Sequence, residues 1–187
     1  MSSTLRSRLT RPVLVELFLA GMWLVGIGLV AIGVSGFVAW VMGLIAGKAF
    51  VAGDTPGVTY TAARCRDFLE YAPNARTCTE AAAIHHFTEV VWYRVVAGVL
   101  GALGLVAWRW VRRRRGPSTL QPQSLVPTVG CVLFGTAAVV LLGQGVDLWW
   151  LKPDGGGGAS LSGGIVSLAV AAWFAKDVLE RITVQPN

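Results

Sequence analysis

Four long apolar runs, separated by short polar clusters, organise this chain. The first starts at Pro12, a favoured first helical position, and continues with hardly a polar group to Gly47. As one helix it would measure about 50 Å, against a hydrocarbon core of about 30 Å. Gly33, Ser35 and Gly36 offer a place for it to bend. The pattern therefore predicts a first span over 13–34, with residues up to 47 either continuing it or lying along the interface. Two spans joined by a tight turn is the competing reading. The second run, "VVWYRVVAGVLGALGLVAWRWV", predicts a span over 90–111. The third, "VPTVGCVLFGTAAVVLLGQGV", predicts one over 126–146. The fourth, "LSGGIVSLAVAAWFA", predicts a short one over 161–175.

Between these runs lie a polar segment 48–89, a turn 112–125 that opens on four consecutive arginines, a Gly-rich loop 147–160, and a charged tail 176–187. The loop's flexible character extends to Gly164 on composition alone. No Gly or Pro occurs between Glu80 and Val96, so the last part of 48–89 should enter the second span as one continuous helix.

Composition agrees with lipid surroundings. Of 187 residues, 54% are hydrophobic and 14% charged, where globular domains carry about 25% charged residues. Eight tryptophans and 23 glycines suit interface anchoring and close helix approach. The basic N-terminus followed by an apolar run resembles a secretory leader. The run is far longer than the roughly 7–15 residues of a leader core, so it reads as a retained span.

The net charge of +6 raises the question of nucleic acid, and its distribution answers it. With four spans and the N-terminus inside, Arg6, Arg8, Arg11, Arg109, Arg112, Arg113, Arg114, Arg115, Lys176 and Arg181 all fall on the cytoplasmic side. The other side then holds near-equal numbers of acids and bases, as the positive-inside bias requires. Splitting the first run in two would place the four-arginine cluster outside. The expected protein is an all-α integral membrane protein of the cell membrane, multi-pass, with both termini cytoplasmic. It is a four-transmembrane-helix bundle forming a single domain, with a small helical extracytoplasmic cap between spans one and two. Its partners are the bilayer and another membrane protein or a second copy, and not nucleic acid.

Candidate chemistry concentrates in "CRDFLEYAPNARTCTEAAAIHHFTEVVWYR", residues 65–94. Cys65 falls on one predicted helix and Cys78 opens another, with a turn at Pro73 and Asn74 between them. The reading favoured is a structural disulfide stapling the cap; a redox pair and metal ligation are the alternatives. Thr77 and Glu80 have capping-box spacing. His85 and Glu89 share a helix face at i,i+4. His86 points about 100° away from His85, so two imidazoles converging on one ion is not expected, and no metal or other cofactor is predicted. His85, His86, Glu89, Arg94 and Asp147 form a candidate polar cluster at the outer boundary, with Arg94 either snorkelling or pairing with Glu89 or Asp147. Glu16 and Gln144 are candidate intramembrane polar groups, Glu16 pairing with an inner arginine or titrating in transport. Gly21, Gly28 and Gly36, Gly26 and Gly33, and Gly98 to Gly104 form small-residue stripes.

No nucleotide loop, metal motif or nucleophile–base set occurs, so an enzyme is the less favoured class. The sequence points first to an accessory or interaction protein acting through its cap and small-residue faces. A small transporter or channel using Glu16, Arg94, Asp147 and Gln144 is second. A membrane enzyme with a site near His85 and Glu89 is third.

Overall fold

The structure is a computed structural model, and it describes residues 3–52, 60–115, 125–151 and 157–184. Residues 53–59 of the polar segment, the middle of the arginine-led turn (116–124), the middle of the Gly-rich loop (152–156) and the last three residues of the tail lie outside the described residues. The described chain is helical: α1 (Ser3–Ile45), α2 (Lys48–Ala52), α3 (Ala62–Tyr71), α4 (Cys78–Arg115), α5 (Leu125–Leu151) and α6 (Gly158–Val184).

Four of these contain segments long and apolar enough to cross a membrane: Val13–Ile45, Cys78–Arg114, Val126–Leu148 and Gly158–Glu180. The distribution of side chains over them is inverted relative to a water-soluble fold. Leu14, Phe18, Val25, Leu103, Val106 and Val139 are more than 60% exposed, whereas Ser35 and Ser162 are buried at 4% and 0%. Large apolar groups outside and small or hydroxylic groups between helices are what lipid surroundings favour, because lipid gives no hydrophobic gain for hiding Leu.

The helices pack as a row. α4 lies along α1, α1 meets α6, and α6 lies along α5, so α4 and α5 stand at opposite ends. Glycines set two backbone-to-backbone contacts between α1 and α4. A Cβ on Gly33 would sit 2.5 Å from the Gly98 Cα, and one on Gly101 would meet the backbone of Val30 at 2.7 Å. Leu105 fills the space over Gly26. The stripe of Gly26 and Gly33 is thus consumed between α1 and α4. Gly21 and Gly104 face open space.

At three boundaries the structure refines or corrects the sequence reading, the first by choosing the alternative in which the first run continues as one helix. α1 does not break near Ser35: its hydroxyl donates back to the Ile32 carbonyl at 2.7 Å, and the glycines beside it serve helix approach. The helix stops at Gly47, whose φ of +95° is a left-handed cap conformation that glycine adopts without penalty. Second, α5 runs on to Leu151. Third, α6 begins at Gly158, so residues 158–164 are helix and not flexible loop. Their glycines are packing positions: Gly158 lies against Phe50, and Gly164 against Leu142.

At the end away from the arginines, α2 and α3 cover the bundle. Val51 of α2 is fully buried with Ala39 and Phe87. Phe68 of α3 packs with Ala72, Ala81 and Ala82. Thr61 caps α3, its Oγ1 accepting from the Arg64 N–H at 3.4 Å. At the start of α4, Thr77 Oγ1 accepts from the Glu80 N–H at 3.2 Å, and Glu80 Oε2 accepts from the Arg76 N–H at 2.8 Å. These two bonds satisfy donors that a helix start leaves open.

Candidate functional site

The polar residues singled out in the sequence fall into three separate places. In the cap, Cys65 and Cys78 form a disulfide with Cα atoms 5.4 Å apart. Cys131, on α5, is a free thiol. The disulfide ties α3 to the first turn of α4, two turns before His85. His85 packs edge-on to Tyr71 at 4.9 Å and against Phe68 at 5.3 Å. Its Nδ1 lies 3.6 Å from Glu89 Oε2, and the Nδ1 of His86 lies 3.5 Å from the same oxygen. The divergence of adjacent imidazoles expected from helical spacing is therefore corrected: helical rotation separates Cβ atoms, and the side-chain torsions bring the ring nitrogens back together.

Arg94 takes neither of the carboxylates anticipated for it. Its Nη1 donates to Ser162 Oγ at 2.8 Å and, weakly, to the Ser35 carbonyl at 3.5 Å. Its Nη2 donates to the Ala159 carbonyl at 2.9 Å. The guanidinium thus joins α4 to α1 and to the first turn of α6 through neutral oxygens. Gly36, with no side chain, leaves room for its stem, since a Cβ there would lie 2.7 Å from the Arg94 Cβ. Asp147 and Gln144 are exposed on α5, away from this junction. The anticipated cluster of His85, His86, Glu89, Arg94 and Asp147 resolves into the cap triad, the arginine junction and a remote Asp147.

The third place is at the arginine-rich end, where the four long helices surround a cavity of about 440 Å³. Its wall is aromatic: Trp23, Trp108, Trp173 and Phe174. Trp23 is the hub, 6.2 Å from Trp108, 6.1 Å from Trp173 and 5.7 Å from Phe174 between ring centroids. Phe174, 1% exposed, seats over Gly130 of α5. Glu16 and Arg112 pair across the cavity edge at 2.8 Å, linking α1 to α4, and Lys176, Asp177 and Glu180 stand along α6. The indole nitrogen of Trp108 is shielded from solvent and has no hydrogen-bond partner.

Glu16 has an arginine, Arg112, as its ion-pair partner. The cavity and its aromatic wall are not foreshadowed, because tryptophan near a span end ordinarily signals an interface anchor. The only sequence hint is the adjacency of Trp173 and Phe174 in a run otherwise made of small and aliphatic residues.

No family model, curated protein or solved structure matches this chain. The cavity can take up an amphiphile, with an apolar body among the indoles and a polar head beside Glu16, Arg112 and Lys176.

Proposed function

We propose that this is a multi-pass protein of the cell membrane, with cytoplasmic termini, that binds an amphipathic small molecule among its four spans at the cytoplasmic-leaflet end. It belongs on this reading to the transporter class, with Glu16 among the ligand-facing residues. The observation that carries the proposal is the cavity. Its volume lies in the range of about 300–1,000 Å³ typical of small-molecule sites, and its wall combines four aromatic rings with the charged side chains of Glu16, Arg112 and Lys176. α4 and α5, at opposite ends of the row, both contribute to the wall.

The test is retention of amphiphile by the intact chain extracted into polymer nanodiscs. Mass spectrometry of the bound lipids should find one species held stoichiometrically by the native chain. Ala20→Trp, which fills the cavity, should lose that species and keep the bulk-lipid pattern. Identical bound-lipid profiles for the two chains would refute the reading.

A second reading, an accessory protein that meets a partner helix, is favoured by α5. Exposed Gln144 stands next to Gly143, which has open space beyond it. An amide facing hydrocarbon is better satisfied by another helix. Copurification of a stoichiometric partner, abolished by Gln144→Leu, would favour this reading.

A further inference from the structure

One turn of α4 assembles three metal-donor side chains beneath the cap. The available donor atoms of His85, His86 and Glu89 all lie within 4.8 Å of one another. Both imidazole Nδ1 atoms address a single carboxylate oxygen, at 3.6 and 3.5 Å. Those separations are long for a charge-assisted hydrogen bond, which closes to about 2.7–2.9 Å. They match the edge of a tetrahedron instead: bonds of about 2.0–2.2 Å to zinc separate neighbouring ligand atoms by about 3.4 Å. The His85 Nδ1 is also shielded from solvent and has no hydrogen-bond partner within the fold.

We propose that His85, His86 and Glu89 form a three-ligand site for a divalent transition-metal ion of the zinc class, with a fourth position open to water. Two imidazoles and one carboxylate select zinc, cobalt or nickel over magnesium and calcium, which prefer all-oxygen shells. Three protein ligands with an open position are the arrangement of reactive rather than purely structural zinc. His86 and Glu89 remain 39% and 48% exposed at the side chain, so an ion can enter from the aqueous side. The cap provides the support. Phe68 lies 5.3 Å from one imidazole and 5.8 Å from the other, and Tyr71 lies 4.9 Å from His85. These rings limit how far the imidazoles can rotate, and the Cys65–Cys78 bond holds α3 in place to do so. The disulfide thus acquires a role beyond stapling the cap, that of fixing a ligand-orienting wall. Both cysteines are spent in that bond and cannot themselves ligate.

The test uses the full chain, free of any affinity tag, stripped with chelator in mild detergent with its disulfide intact. Co²⁺ is the probe, because a four-coordinate cobalt ion absorbs visible light far more strongly than a six-coordinate one. The native chain should bind one Co²⁺ with the intense four-coordinate spectrum, and one equivalent of Zn²⁺ should displace it. Glu89→Gln, which keeps the size of the side chain, and His86→Ala should each lose that spectrum while retaining the disulfide and a monodisperse elution profile. The proposal is overturned if the native chain gives only the pale six-coordinate spectrum or binds no Co²⁺. It is equally overturned if the spectrum survives in both variants. Should a variant fail to fold, the native chain's stoichiometry and spectrum still decide the matter.

Discussion

Gly33 and Gly98 bring α1 and α4 together so closely that the Cα of each occupies the space where a side chain on the other would begin. Neither backbone can retreat without separating the helices along their length. Overpacking a tight interior costs about 1–3 kcal/mol, and here the obstructing atoms are backbone, which cannot rotate aside. Gly33→Ala should therefore lower the thermal midpoint in detergent, and Gly33→Leu should do so far more. Gly104→Leu, which faces open space, should leave the midpoint unchanged. Equal effects at Gly33 and Gly104 would contradict the packing described.

The contrast between those glycines shows what the sequence can and cannot convey. Four helices long and apolar enough to cross a membrane, the unbroken run of α4 from Cys78 and the Thr77–Glu80 cap are all legible, because each depends on residues adjacent in the chain. Whether a glycine packs or flexes is not. Gly158, Gly163 and Gly164 read as loop by composition, yet they are helical contact points against Phe50, Leu141 and Leu142, since in lipid small residues are what let helices meet. The partners of Arg94 were equally hidden. Ser162 carries no signal as an acceptor until α6 is laid beside α4, and neither does the Ala159 carbonyl. The aromatic cavity depends on which helices diverge, and no local pattern encodes that.

Arg94 yields a prediction about sign. Its two guanidinium arms reach Ser162 Oγ and the Ala159 carbonyl, a forked geometry that a single ammonium cannot reproduce. Hydrogen bonds to a charged group contribute about 1.5–3 kcal/mol, and burial of the charge offsets part of that. Arg94→Lys should be destabilised, because it keeps a charge within the helices and loses the fork. Arg94→Met should be no worse than Arg94→Lys, having no charge to bury. Thermal unfolding of the two variants checks the order, and a lysine variant as stable as the native chain would refute the account.

Two ion pairs in the same region should differ in strength. Glu16 and Arg112 meet at 2.8 Å with side chains only 15% and 24% exposed, whereas Lys176 and Glu180 stand 3.6 Å apart at 75% and 63% exposed. Exposed pairs contribute about 0–1 kcal/mol. A double-mutant cycle with Glu16→Gln and Arg112→Gln should give a coupling of about 1–2 kcal/mol, above the exposed range. The same cycle at Lys176 and Glu180 should give one near zero. Equal couplings at the two pairs would show that the edge of the cavity is as wet as the surface.

The cap disulfide should matter locally and not for insertion. Cys65 and Cys78 are 13 positions apart, and closing a loop of this size contributes about 3 kcal/mol in the chain-entropy model. That contribution falls on α3, whose other attachments are Phe68 among small alanines and the rings facing His85 and His86. The long helices make no use of it, because their contacts lie along α1, α4, α5 and α6. Cys65→Ser should therefore expose Arg64, Arg66 and Arg76 to trypsin many times faster than in the native chain. Alkaline extraction should still leave the protein in the membrane fraction. Reduction of the native chain should reproduce the faster cleavage, which separates loss of the cross-link from any effect of the serine itself. Unchanged cleavage in both the variant and the reduced chain would mean that packing of Phe68 and Tyr71 alone suffices to hold α3 on α4.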